Sequence, residues 1–182
     1  MAKRGTFHAV NGNGSTFLAP VTAYPTTALT MALYASEVGR KLRVKSVRYF
    51  LASGTPTASS GLVICRTAVP QARPTLSTGD NGGYAGTIVS SLSDGGKPGD
   101  TKALFINAIT LTGPQPAWVF VGGNTAGEGL ASATLAAHQG VFDVRDYDIE
   151  LGYGHMLGLA VLSGTGTSPL FGFGVTLEDW DA

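Results

Sequence analysis

The stretch LFGFGVTL, residues 170–177, alternates large apolar side chains with small ones. Successive side chains of a strand point to opposite faces. One face therefore carries glycine and threonine, and the other carries Phe171, Phe173, Val175 and Leu177. A slip of one residue would expose all four large groups, so we expect a strongly specified register. The glycine face predicts either the close approach of another backbone or a neighbouring sheet packed flat on it.

A second strand is predicted at residues 40–51, where the alternation changes phase. Leu42 and Val44 have even numbers, whereas Val47, Tyr49 and Leu51 have odd ones. All five can reach one face only if an extra residue is inserted near residues 45–46, which is a β-bulge. A long bulged strand of this kind bends, and it can serve two sheets of a sandwich.

Other short apolar runs lie between turn residues, a pattern typical of sandwiches and barrels. They occupy residues 28–35, 61–67, 103–112, 118–121 and 156–163, and we expect the last to form a hairpin with residues 170–177. Glycine accounts for 26 of 182 residues, about twice its usual share of roughly 7%. Charged residues make up 13%, about half the usual share of roughly 25%.

These patterns predict one all-β domain spanning residues 1–182, a two-sheet antiparallel β-sandwich of the jelly-roll type. We expect at most one short helix, at residues 128–138. Residues 1–20 are predicted to form an N-terminal arm and residues 178–182 a C-terminal tail, both candidates for subunit contacts.

The charges are unevenly distributed along a chain whose net charge is zero. Residues 1–79 hold nine basic side chains and one acidic one, whereas residues 80–182 hold three basic and eleven acidic ones, giving formal charges of +8 and −8. Two hypotheses follow. Strands from the two halves neutralise each other within one sandwich, or the surface has opposite poles that dock onto other copies or a host lattice.

The segment of residues 143–150, DVRDYDIE, concentrates four carboxylates and one arginine in eight residues. If it is an extended strand, Asp146, Asp148 and Glu150 share one face. We expect these carboxylates to lie opposite Lys41, Arg43 and Lys45, within or between subunits. Calcium is the alternative ligand, because it binds clusters of oxygen donors. The five basic residues between positions 40 and 48 also suggest the hypothesis of nucleic-acid binding. The neutral net charge and the lack of a long basic arm count against it.

Catalytic and metal-binding motifs are not evident. The single cysteine, Cys65, lies inside an apolar run, where a cysteine usually acts as a small buried hydrophobe. The histidines His8, His138 and His155 lack the spacing of metal ligands. No signal peptide or apolar stretch of about 18 residues is visible. We therefore expect a non-enzymatic protein made in the cytoplasm, with no cofactor, no metal and no membrane or nucleic-acid partner.

Two segments resemble viral and phage jelly-roll proteins. Residues 149–177 look like the last strands of that architecture, and residues 41–50 look like one of its long strands. Among such proteins the size, neutrality and lack of a basic arm are most similar to a phage head decoration (cement) protein. The resemblance implies homotrimers seated on the lattice of the major capsid protein, located in the virion, with no catalytic residues. The trimeric receptor- or carbohydrate-binding head of a tail fibre and a small jelly-roll capsid protein are the alternatives.

The candidate site is therefore an interface. Trp180, close to the C-terminal end, is a large aromatic group that would be of little use unless something covered it. The predicted interface comprises Lys3, Arg4, Lys41, Arg43, Lys45, Asp146, Asp148, Glu150 and Trp180.

Overall fold

The computed structural model describes residues 2–10, 17–24, 26–56, 60–74, 87–90, 103–112, 117–124, 139–163 and 166–182. These residues form eleven strands and one 3-10 turn, Arg145–Tyr147. The predicted all-β sandwich of two antiparallel sheets is confirmed. The helix predicted at residues 128–138 lies outside the described residues. The strands are β1 Lys3–Val10, β2 Ala28–Ala35, β3 Arg40–Thr55, β4 Ser60–Arg66, β5 Thr87–Ser90, β6 Ala103–Thr110, β7 Ala117–Asn124, β8 Gln139–Asp143, β9 Glu150–Leu151, β10 Met156–Ser163 and β11 Thr167–Asp181.

The strand order is that of a jelly roll. Sheet A has the order β5-β1-β11-β3-β8, with β9 also paired to β3, and sheet B has the order β6-β2-β10-β4-β7. The first four strands alternate between the sheets and pair with the last ones, as β1–β11, β2–β10, β3 with β8 and β9, and β4–β7. This is one long antiparallel hairpin folded over itself. Strands β5 and β6 extend the two sheets beside β1 and β2.

The predicted core face of β11 is confirmed. Phe171, Phe173, Val175 and Leu177 all belong to the cluster between the sheets. The glycine face, however, is covered by side chains of the neighbouring strand β3 rather than by another backbone or sheet. A Cβ at Gly172 would overlap the Phe50 ring, and a Cβ at Gly174 would lie 2.9 Å from Cγ of Arg48.

The predicted bulge in β3 is also confirmed. Thr176 pairs with Ser46 and Leu177 pairs with Val44, so Lys45 is the extra residue on β3. The bulge brings the apolar side chains on both sides of the phase change to one face. All five lie in the cluster between the sheets: Leu42, Val44, Val47, Tyr49 and Leu51.

The hairpin predicted from residues 156–163 and 170–177 is wrong. Strand β10 lies in sheet B between β2 and β4, whereas β11 lies in sheet A between β1 and β3. The two strands meet face to face across the core, where Leu159 and Val161 join the same cluster as Phe171. The turn-rich linker between these strands is typical of a hairpin, but it can also connect two sheets. Here it crosses from sheet B to sheet A, so that the apolar faces of β10 and β11 are both buried in the core.

Sheet B is buried on both faces at its centre. A second cluster, which includes Tyr34, Ile106 and Met156, lies on its outer side. Residues 67–74 are fastened there, because Gln71 donates to the Gly154 carbonyl at 2.8 Å and its own carbonyl accepts from Tyr34. Cys65 belongs to this cluster, and burial raises the pKa of its thiol to about 12, as suits a small hydrophobe. The outward side chains of β3, from Lys41 to Phe50, remain at least partly accessible.

Candidate interaction surface

The predicted interface residues all lie on sheet A or in the turn beside it. Trp180 on β11 is flanked by Lys3 of β1 and Lys41 of β3, its cross-strand neighbours. Residues directly opposite each other share a face. In the next row, Glu178 is flanked by Thr6 and Arg43, and Arg43 in turn by Glu150 of β9. We call this outward surface, from Lys3 and Trp180 to Glu150, the charged end of sheet A.

Arg43 and Glu150 form the centre of the charged end. Nη2 of Arg43 lies 2.6 Å from Oε1 of Glu150, and Nε lies 3.2 Å from the same oxygen. Lys41 approaches Glu150 at 3.6 Å, and Asp148 approaches Arg43 at 3.6 Å. The hydrogen bonds from Arg43 hold the pKa of Glu150 below its usual value. The expected pairing of the two charged segments is confirmed for these residues, within one chain.

Lys45 pairs with Glu178 and not with Asp146, Asp148 or Glu150, the partners predicted for it. Its Nζ lies 3.2 Å from Glu178, and Lys3 approaches the other oxygen of Glu178 at 3.2 Å. Burial pushes the pKa of Glu178 upwards, but the hydrogen bonds from the two lysines outweigh it and leave the pKa below its usual value. Trp180 donates its indole N–H to the same carboxylate at 3.3 Å. Lys45 lies two residues along β3 from Arg43, the cross-strand partner of Glu178, and so reaches this carboxylate diagonally.

Trp180 is half-buried rather than part of a loose tail. Residues 178–181 are the end of β11, between β1 and β3, and the amide of Ala182 donates to Gly39 at 2.8 Å. Likewise, residues 3–10 of the predicted arm form β1. Trp180, Lys41, Arg43 and Glu150 line a depression of about 130 Å³. Arg4 lies nearby and pairs with Asp181 at 2.5 Å.

The strand predicted at residues 146–150 is wrong. Residues Arg145–Tyr147 form a 3-10 turn, and Asp148 adopts a left-handed conformation with φ of 47°. Asp143 starts the turn by accepting from the amide of Arg145 at 3.0 Å, and its carboxylate also binds the Arg145 guanidinium. These contacts lower the pKa of Asp143 to about 2. The turn separates Asp146 from Asp148 and Glu150, with which it was predicted to share a face. Asp146 makes no ion pair with Lys41, Arg43 or Lys45.

The calcium hypothesis requires several oxygen ligands at one point. In the described ranges, no group of three or more His, Cys, Asp or Glu side chains could hold a metal ion. No helix in the same ranges is long and apolar enough to cross a membrane.

The basic run between residues 40 and 48 is largely neutralised by acids of the same chain. Arg40 is buried against Asp179, Lys41 and Arg43 contact Glu150, and Lys45 contacts Glu178. Among the described residues, Arg48 is the member of this run without an acidic side chain at ion-pair distance. An array of free cations, which binding to several phosphates requires, is therefore not formed by this run.

The opposite end of the outward face of sheet A contains Arg48, and we call it the glycine end. Its row is Val10, Gly174, Arg48 and Val141. Two hollows of about 650 Å³ and 290 Å³ flank Arg48 and share Val10 and Val141 as lining residues.

No protein-family model matches the chain, and no curated protein matches it in sequence.

Proposed function

We propose that this protein is a non-enzymatic virion structural protein, a decoration (cement) protein that stabilises a phage head. It binds its own copies and the lattice of the major capsid protein through the outward face of sheet A. The observation that carries the proposal is the contrast between the two outer faces. The outward side chains at the centre of sheet B are buried, and Gln71 of residues 67–74 is hydrogen-bonded on that side, whereas sheet A offers an accessible, charge-ordered face with the half-buried Trp180 at one end.

The character of that face suits recognition between proteins. Its cations and anions are held in fixed pairs along Lys3, Arg43, Lys45, Glu150 and Glu178. Ordered charges of both signs give specificity and orientation more than raw affinity. Tryptophan is among the residues that contribute most binding energy at protein interfaces. Trp180 is therefore the anchor that we assign to this surface.

The jelly-roll strand order supports the same proposal. This architecture occurs in viral capsid proteins and in lectins. Because a fold hosts many functions, the strand order alone favours no single one of them. It fits the resemblance of residues 149–177 and 41–50 to virion jelly-roll proteins.

The direct test is mass spectrometry of purified particles of the virus that carries this gene, followed by add-back of the protein to heads prepared without it. We expect a stoichiometric component whose addition raises the temperature at which the heads break. Absence of the protein from purified particles would refute the proposal. Formation of closed shells by the protein alone, visible by electron microscopy, would favour a small capsid protein instead.

A carbohydrate-binding head is the second candidate, and the depression beside Trp180 is the observation that favours it. An aromatic ring next to Lys41, Arg43 and Glu150 combines an apolar face with hydrogen-bonding groups, a combination typical of ligand sites. A glycan array would test it. Binding of a glycan that is lost in Trp180→Ala but kept in Tyr153→Ala, a change at an exposed tyrosine outside the sheet, would favour this candidate over the shell protein.

A further inference from the structure

Arg48 differs from the other basic residues of sheet A. Lys3, Arg4, Arg40, Lys41, Arg43 and Lys45 each have an acidic partner in the same chain. Arg48 is exposed and, within the described part of the chain, has none. Its side chain lies across Gly174, with Cγ at 2.9 Å from the position of a Cβ there. The absence of a side chain at Gly174 thus leaves room for the Arg48 side chain, which lines both hollows.

The larger hollow beside Arg48 has a mixed lining. Val10, Phe50 and Val141 supply apolar surface, and Gln139 supplies a polar group. Val141 is 74% exposed although it is a β-branched apolar residue on strand β8. The hollow, about 650 Å³, therefore offers an apolar wall beside the Arg48 guanidinium, which has no acidic partner among the described residues. A segment with one carboxylate next to an aromatic ring would match this lining.

Such a segment is present on the same edge of the molecule. The 3-10 turn that follows β8 carries Asp146, which is exposed. Among the described residues no basic side chain lies at ion-pair distance from Asp146, although Arg145 attracts it electrostatically. The next residue, Tyr147, is 51% exposed. Asp146 and Arg48 do not meet within one chain. The turn thus displays a carboxylate and an aromatic ring, which complement the cation and the apolar wall of the hollow.

We infer that the turn of one copy binds the hollow of a second copy, with Asp146 paired to Arg48 and Tyr147 packed against Val10 and Phe50. The inference rests on the proposed function and specifies its contact between copies. Each copy carries both halves, so the contact forms twice in a two-fold pair or once per subunit in a closed ring. A planar guanidinium binds a carboxylate through two parallel hydrogen bonds, which also fixes the orientation of the neighbours.

A charge-swap experiment tests the pair. Analytical ultracentrifugation of the full chain gives the self-association constant and the mass, which should be two or three times the 18.6 kDa of the chain. We expect Arg48→Asp and Asp146→Arg each to weaken association by at least about tenfold. The double variant Arg48→Asp with Asp146→Arg should restore it to within about threefold. Arg66→Glu changes the charge equally at an exposed site on sheet B and should have no effect. Circular dichroism and thermal melting confirm that each variant is folded.

The outcomes separate this inference from the proposed function. Association that is weakened by the single changes and is not restored by the swap would overturn the Arg48–Asp146 pair, because Arg48 would then contact another group. Association unaffected by either single change would also overturn it. A wild-type chain that stays monomeric would overturn the contact between copies, whereas detection of the protein in purified particles decides the proposed function by itself.

Discussion

Arg40 and Asp179 form a buried, doubly hydrogen-bonded ion pair between the start of β3 and the end of β11. Nε of Arg40 lies 2.8 Å from Oδ1 and Nη2 lies 2.5 Å from Oδ2, while the two side chains are 8% and 0% exposed. The partners are 139 residues apart in the chain. The pair therefore joins the two oppositely charged halves of the sequence inside sheet A.

Removing one partner of this pair should be strongly destabilising. Asp179→Asn removes the hydrogen-bonded carboxylate from the buried Arg40 guanidinium and leaves it, among the described residues, only the more exposed Glu37, at 3.8 Å. Breaking a buried pair in this way costs about 3–5 kcal/mol. Urea unfolding followed by circular dichroism measures the loss. Arg4→Gln is the matched control, since the Arg4–Asp181 pair is exposed and should contribute little. Equal effects of the two changes would show that the Arg40 pair is not sequestered from water.

Deleting Lys45 should unfold the protein or cost about 3–6 kcal/mol. Without the extra residue, Leu42 and Val44 would turn to the outward face, and each buried aliphatic side chain contributes about 1.5–3 kcal/mol. Lys45→Ala keeps the residue count and should retain most of the stability. If the deletion variant matched Lys45→Ala in its unfolding midpoint, the bulge would not be holding the register.

Gly172 should be required because of Phe50. Gly172→Ala places a Cβ where the Phe50 ring lies, and overpacking of this kind costs about 1–3 kcal/mol. In a Phe50→Ala background the same change should be close to neutral, so the double-mutant cycle should show a coupling of at least about 1 kcal/mol. Gly152→Ala is the control, because a Cβ at Gly152 meets nothing within 4 Å. Additive effects of Gly172→Ala and Phe50→Ala would contradict this account of the glycine face.

Part of this organisation could be predicted from the sequence. The phase break between Val44 and Val47 has one simple solution, and the bulge at Lys45 is that solution. The alternation from Phe171 to Leu177 likewise identifies the core face, because period-two burial is a local property of a strand. The pairing of Arg43 with Glu150 could be predicted from the distribution of charge along the sequence. Only the fold shows that the two residues pair within one chain and not between subunits.

Other features depend on contacts that no local pattern encodes. The Arg40–Asp179 pair needs β3 and β11 to be neighbours, and the hairpin predicted for β10 and β11 failed for the same reason. The alternation of residues 146–150 imitates a strand, but Asp143 accepts from the amide of Arg145 and starts a turn. An aspartate two residues before a turn amide is a known turn signal, and it was the clue available in the sequence.

Acid should weaken the protein through Glu150 and Glu178. The pKa of each carboxyl lies below its ordinary value of 4.5 in the folded chain. The stabilisation is therefore fully present above pH 4.5 and is lost as the pH falls through the lowered values. Thermal melting between pH 7 and pH 2 measures this loss. Glu178→Gln should be less stable at neutral pH and should lose less on acidification. An unchanged acid profile in this variant would show that Glu178 does not contribute.

The central claim is that the outward face of sheet A is the assembly surface, and hydroxyl-radical footprinting tests it most directly. The oxidation rate of each aromatic side chain is compared between the free protein and the protein in purified particles. We predict protection of Trp180 and Tyr147 in the particles, with Tyr24 and Tyr153, which are about half exposed and lie outside sheet A, oxidised at unchanged rates. Protection of Tyr24 and Tyr153 with Trp180 and Tyr147 unchanged would contradict the claim.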